Sequence, residues 1–271
     1  MDDRSVALVT GVSSGIGAAM ARRLVEAQYR VFGTVRSDRT ALPDGVEPIV
    51  LDVRDDASVE RGVAAVMSGA GRIDVLVNNA GGALLGAIEE TELEQARDLF
   101  DVNFFGAVRV TRRVLPNMRA QRRGRVIFVS SVLGFLPAPF MAFYAASKHA
   151  IEGYCESLDH EVRALGVRAI LVEPGFMKTK LDANATRAAK RITDYDAARE
   201  RVSASINASV DKGDDPAIVA EVVMTALRDA NPRLRYTAGK GTATLSTLRR
   251  WMPASMFDRS LRKEFNVDAT K

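Results

Sequence analysis

The sequence holds a single cysteine, Cys155, among 271 residues, so no intrachain disulfide can form and cysteine usage gives no sign of an oxidising compartment. Cys155 falls on an apolar helical stripe, where core packing is its expected role. Histidine is nearly as scarce. His149 and His160 stand eleven residues apart on one expected helix without neighbouring cysteine or carboxylate ligands, so no metal site is expected. The formal charge is only +4, and the one dense basic run is RAQRRGR, Arg119 to Arg125. That run lies between a long helical pattern and a strand, where cations are favoured at a helix C-terminus; it reads as a solvated cap and not as a nucleic-acid patch. Long apolar runs are also missing: none approaches the roughly 20 residues needed to cross a bilayer. The opening MDDRSVALVTG contains no apolar signal segment, so a cytoplasmic location is expected.

What is present is enough apolar sequence, 47% of the chain, to bury a sizeable core, and one domain over residues 1–271 is expected. Apolar runs alternate with segments of helical period: VALVT, RVFGTV, EPIVLDV, DVLVNNA, RVIFVS, RAILVEP and RLRYTA. Strands this apolar, separated by helices, predict a doubly wound α/β fold whose parallel sheet has about seven strands and is covered on both faces. Ligands in such folds bind at the carboxyl ends of the strands. The first such end carries TGVSSGIG, Thr10 to Gly17. Glycines there let the backbone approach a pyrophosphate, whose charge suits the exposed N–H groups of the next helix. The segment is a candidate nucleotide site.

Two stretches place a tyrosine four residues before a lysine: YAASK at Tyr144 to Lys148 and YTAGK at Tyr236 to Lys240. The first opens a proline-free helical pattern, which puts both side chains on one face. The second follows alternating residues and has glycines on both sides of its lysine, so it reads as a strand entering a turn. Spacing alone does not decide between them.

The chain resembles the short-chain dehydrogenase/reductase family, on motifs that occur in order. These are TGVSSGIG, LDV at Asp52, NNAG at Asn78, Asn103 in DVNFFG, Ser131 in VSSVLG, YAASK, and PGFMKT at Pro174. The likeness runs from about Val6 to Val223. It implies a catalytic serine thirteen residues before the tyrosine: Ser131 stands there for Tyr144, whereas Val223 stands there for Tyr236. The implied catalytic set is Asn103, Ser131, Tyr144 and Lys148. A carbonyl that receives hydride must be protonated, and a tyrosine of ordinary pKa, roughly 10, needs a cation beside it to serve near neutral pH. Tyr144 would donate the proton, Lys148 would tune it and hold the ribose, Ser131 would bind the substrate oxygen, and Asn103 would order a water.

By the same resemblance, the cofactor would meet Gly11, Ser13, Ser14, Gly15, Ile16 and Gly17, then Asp52 with Val53, Asn79, Ala80 and Gly81, and finally Pro174, Gly175 and Thr179. Asn78 is expected to tie neighbouring strands. Family members preferring NAD carry an acidic residue after the second strand; here that place holds Val35 followed by Arg36, with Arg39 as a second candidate, which points to NADP(H). Leu133, Phe135, Phe140, Phe176 and Met177 are the expected substrate contacts, followed by a substrate loop over 177–212 that is helical from about Leu181 to Val210. A bulky apolar ketone or alcohol, steroid- or retinoid-like, fits such a lining. A homodimer or homotetramer is expected through helices at Leu93 to Gln121 and Phe143 to Leu165, using Phe104, Ile151, Tyr154 and Leu158. The variable segment over 240–271 is basic and apolar, with Pro253 inside it; a lid or subunit contact is expected, with peripheral membrane contact as the alternative. Two other functions stand beside the main reading. A cofactor-binding regulatory protein is opposed by the intact catalytic set, and a sugar-nucleotide epimerase or dehydratase by the glycine spacing.

Overall fold

Strands buried on both faces need apolar residues at every position, and the first strand, VALV, shows how they divide. Val6 and Leu8 enter one core and Ala7 and Val9 the other, because successive side chains point to opposite faces. The computed structural model describes residues 4–37, 41–181 and 183–267. In chain order its first half runs β1 (Val6–Val9), α1 (Gly15–Glu26), β2 (Arg30–Val35), β3 (Val46–Val50), α2 (Asp56–Ala70), β4 (Val75–Asn78), β5 (Leu84–Leu85), α3 (Leu93–Phe100) and α4 (Ala107–Gln121). The second half runs β6 (Gly124–Val129), α5 (Ala142–Val162), β7 (Val167–Pro174), β8 (Thr186–Arg187), α6 (Asp196–Asp211), α7 (Ala217–Arg228), β9 (Arg235–Ala238), α8 (Thr242–Trp251) and α9 (Ala254–Glu264).

The main sheet is seven-stranded in the order β3-β2-β1-β4-β6-β7-β9, and every pairing is parallel. The order reverses between β1 and β4, which opens a crevice at their carboxyl ends. One face is covered by α2, α4 and α5 through residues such as Val63, Val114 and Ile151. The other is covered by α1 and α7 through Met20, Leu24, Val219 and Val223. This is the doubly wound arrangement expected from the alternating runs. Cys155 is fully buried on α5, and burial pushes its thiol well above the usual range. The basic run ends α4: Arg122 adopts the left-handed conformation at the cap, and Arg123 pairs with Asp74 at 3.0 Å.

Two expectations change. The loop after β7 is not helical from Leu181: it forms the short strand β8, which pairs with β5, and helix begins only at Asp196. Buried Glu90 anchors that loop by accepting the Ile192 N–H at 2.7 Å and pairing with Arg199. The apolar surface of the long helices is also smaller than expected. Ile151 and Leu158 are 3% and 5% exposed and belong to the chain's own core, so they offer nothing to a partner. Phe104, Tyr154 and the half-exposed Phe105 remain on that side as an edge-to-face aromatic group.

Candidate active site

Thr10, at the end of β1, organises the first wall. Its buried hydroxyl accepts the N–H groups of Asn79 and Ala80, each at 2.9 Å, which pins the end of β4 to the glycine loop. Asn79 returns its side-chain amide to the carbonyls of Thr10 and Gly11 at 2.9 and 3.0 Å. The strand tie expected of Asn78 thus belongs to Asn79, because neighbours on a strand point to opposite faces. Asn78 instead donates to Thr111 Oγ1 of α4 at 2.9 Å. Gly11 has φ +71°, and a Cβ there would come within 3.0 Å of the Ala80 Cα, so only glycine fits comfortably. The N-cap of α1, Ser14, makes no side-chain cap bond, and the first turn carries no acid. Its N–H groups and positive end of the dipole are left to an anion, and the residues present fit a dinucleotide pyrophosphate.

The second wall comes from the ends of β6 and β7 and the start of α5. Ser131 follows β6 in extended conformation, and its hydroxyl oxygen accepts the Leu133 N–H at 3.2 Å, so it caps a short 3₁₀ turn while lining the cavity. Tyr144 and Lys148 share one face of α5, and the ammonium sits 5.7 Å from the centroid of the phenol ring. Lys148 donates to the Val129 carbonyl at 2.9 Å. Burial lowers its pKa from 10.5 to about 8, opposed by the negative field of Glu152 one turn on. Tyr236 is elsewhere: it lies on β9 with its hydroxyl accepting the Arg233 N–H at 3.0 Å, and Lys240 projects into solvent. The structure therefore separates the two tyrosine-lysine pairs.

Asn103 sits on a π-helical turn, Asp101–Gly106, that interrupts the run from α3 to α4. It lies behind the cavity and not on its lining. Its amide accepts the Gly82 N–H at 2.8 Å, donates to the Gly82 carbonyl at 3.0 Å, and donates to Ser147 Oγ at 3.0 Å. Ser147 in turn donates to the Tyr144 carbonyl at 2.7 Å, so Asn103 braces α5 against the loop after β4. Beneath the floor lies a group no spacing announced. Ser130 donates to Glu152 at 2.7 Å, and Arg235 of β9 gathers Glu152, Glu156 and Glu173. Burial, and then repulsion from Glu152, raises the Glu173 carboxyl from 4.5 to about 7.

These walls enclose a cavity of about 550 Å³. It is lined by every expected cofactor residue: Gly11, Ser13 to Gly17, Arg36, Asp52, Val53, Asn79 to Gly81, Pro174, Gly175 and Thr179. Ser131, Leu133, Tyr144, Lys148, Phe176 and Met177 line it too. Phe135 and Phe140, expected substrate contacts, do not: both pack in the apolar cluster behind Leu133, and Phe140 stacks edge-on against Tyr195. Arg39 lies outside the described residues. The lining adds Arg54 and Met141, which no motif singles out, and Lys180 and Leu181 from the expected substrate loop. Arg54 clasps Asp52 at 2.6 Å and, with Arg36, holds that carboxyl below its usual range. Its position two residues after Asp52 was the only available signal. Among the described residues no cluster of three His, Cys, Asp or Glu could hold a metal ion, and no helix is long and apolar enough to cross a membrane.

Residues 5–190 match the family model for short chain dehydrogenases. The chain belongs to that family. It is 34% identical over 260 residues to a 3-ketodihydrosphingosine reductase of Bacteroides thetaiotaomicron, a match that covers 95% of this chain and 96% of the relative. It is also 34% identical to estradiol 17-beta-dehydrogenase 1 of Rattus norvegicus, across 97% of this chain and 82% of that one. A crystal structure of a short-chain dehydrogenase from Streptomyces avermitilis superposes with a TM-score of 0.84 at 34% identity, covering 98% of this chain and 97% of that chain. Solved structures of the same fold hold NADP in some cases and NAD in others. This short-chain dehydrogenase is an oxidoreductase with a nicotinamide cofactor site, from a family that acts on alcohol and ketone groups.

Proposed function

We propose that this short-chain dehydrogenase reduces the carbonyl of a bulky apolar ketone with NADPH. The observation that carries this reading is that Ser131, Tyr144 and Lys148 line the same cavity as the glycine loop of α1. When bound, the cofactor supplies a hydride to the substrate carbon. Ser131 hydrogen-bonds the substrate oxygen and aims it at Tyr144, which donates the proton that the developing alkoxide requires. Lys148 stabilises the phenolate that remains, and the buried Asn103 brace keeps α5 in register with the loop after β4; ordering a water that leads from Lys148 to solvent is its proposed second role. Leu133, Met141, Phe176 and Met177 supply an apolar wall, which suits a steroid-like or long-chain ketone. The reductase and steroid dehydrogenase among the relatives support that substrate class.

The NADP preference rests on Arg36 and Arg54, both on the lining at the ends of β2 and β3, where a 2′-phosphate would meet two guanidinium groups. We place the reaction in the cytoplasm, where NADPH is kept reduced. The test follows absorbance of NADPH and of NADH across a panel of apolar ketones. Turnover with NADPH is expected, and Arg36→Ala should weaken NADPH binding roughly 10-fold or more, because hydrogen bonds to charged groups contribute about 1.5–3 kcal/mol. A wild-type preference for NADH would overturn the cofactor reading.

A further inference from the structure

The last two helices use their apolar residues in opposite ways. α9 turns Phe257, Leu261 and Phe265 inward, onto the cluster that holds Leu133, Met141 and Tyr144. α8 leaves Leu245 and Leu248 each 38% exposed and Trp251 76% exposed, and Met256 at the start of α9 is 56% exposed. Spacings of three residues put Leu245, Leu248 and Trp251 along one side of α8. The same geometry places Met256, Arg259 and Lys263 on the side of α9 opposite its buried residues, while Asp258 and Glu264 fall on the flanks. From Lys240 to Phe257 the sequence contains no acidic residue. The Arg250 guanidinium lies 5.6 Å from the centroid of the Trp251 ring, so cation and aromatic act from one place.

We propose that the exposed sides of α8 and α9 act as one face that docks on an anionic lipid bilayer, with Leu245, Leu248, Trp251 and Met256 in the interface and Arg250, Arg259 and Lys263 at the headgroups. Charge decides the occupant. A second copy meeting this face across a two-fold axis would set Arg250, Arg259 and Lys263 near their own equivalents, with no carboxylate from the face between them. An anionic surface instead attracts every one of those cations, at about 1 kcal/mol each, and buries the apolar side chains. Docking would also bring the bilayer to the helix that backs the substrate wall, so a lipid-dissolved ketone would have a short path to the cavity. Vesicle binding needs no turnover, so the proposal stands or falls apart from the catalytic reading.

Trp251 is the one tryptophan of the sequence, which makes its emission a direct reporter. The experiment titrates the purified protein with vesicles of phosphatidylcholine alone and of phosphatidylcholine mixed with phosphatidylglycerol, and follows emission and sedimentation. With the anionic mixture the emission should move to the blue and the protein should sediment, and salt near 1 M, where the Debye length is about 3 Å, should reverse both. The combined variant Arg250→Ala, Arg259→Ala, Lys263→Ala should weaken partition on the order of a hundredfold, about fivefold per cation, with melting and NADPH affinity unchanged. Unshifted emission with the anionic vesicles, or equal sedimentation with both kinds, would overturn the proposal. So would a lipid-free blue shift that grows with protein concentration alongside a doubled mass, because a second copy would then cover the face.

Discussion

Tyr144 and Tyr236 are each followed by a lysine four residues on, and the fold gives them different work. Tyr144→Phe keeps the ring and removes the proposed proton donor, so turnover should fall by roughly 10² to 10⁴ with NADPH affinity nearly kept. Tyr236→Phe removes one partly buried hydrogen bond and should cost about 1 kcal/mol of stability without touching turnover. Comparable losses of activity in both would sink the assignment. Lys148 adds a test that needs no substrate. In the fold it holds its proton less tightly than in the unfolded chain, about 8 against 10.5, so its charged form is a burden below about pH 8. That burden, on the order of 3 kcal/mol, disappears as pH rises from about 8 to 10.5, and stability should climb through that window. Denaturation of Lys148→Met without cofactor should lack the climb; an identical pH slope in both proteins would contradict a buried, destabilised ammonium. That Tyr144 and Lys148, and not Tyr236 and Lys240, share a helix face beside Ser131 was legible because helical context and the serine thirteen residues earlier are local features. Which asparagine ties β4 to β1 was not: Asn78 and Asn79 differ only in which side of the strand they face.

At the scale of elements, the inner strands were readable because strands buried on both faces are largely apolar, and the edge strands β3 and β9 because they alternate buried with more exposed positions. The two-residue strands β5 and β8 have no periodicity to read, and their pairing depends on contacts about a hundred residues apart. The same holds for the network in which Arg235 of β9 joins Glu152 and Glu156 of α5 and Glu173 of β7. Glu173 faces two other carboxylates and one guanidinium, and its folded pKa of about 7 exceeds its ordinary 4.5. The folded state therefore binds more protons between these values, and the contribution of Glu173 to stability is lost as pH rises from 4.5 through about 7. Glu173→Gln keeps the side-chain shape but cannot ionise. Its stability relative to the natural protein should improve from about pH 5 to about pH 8 and then level off. Chemical denaturation at both pH values measures this, and a difference that does not change with pH would mean that Glu173 is already ionised in acid.

Across the whole molecule, sequence periodicity told which helix faces are apolar but not what each face meets. The helical stripe suggests Ile151 and Leu158 as partner surface, yet both belong to the chain's own core, since a stripe looks the same in either setting. The C-terminal segment divides in a way the sequence could not announce: α8 leaves its stripe exposed, while α9 closes over the cluster of Leu133, Met141 and Tyr144, with Phe257 at 4% and Phe265 at 7% exposure. If α9 is a lid, loosening it should act on substrate and not on cofactor, because the glycine loop and the arginines at β2 and β3 lie on the other wall. Phe257→Ala removes a buried ring at a cost of about 3–5 kcal/mol, some of it local to the lid. A milder change, Phe257→Leu, retains most of the apolar volume and guards against wholesale unfolding. Both should raise the Michaelis constant for bulky apolar ketones, Ala more than Leu, with a smaller effect on compact ketones and none on NADPH affinity. Equal effects on bulky and compact substrates, or a matching loss of NADPH affinity, would show that α9 stabilises the fold at large instead of shaping the substrate side of the cavity.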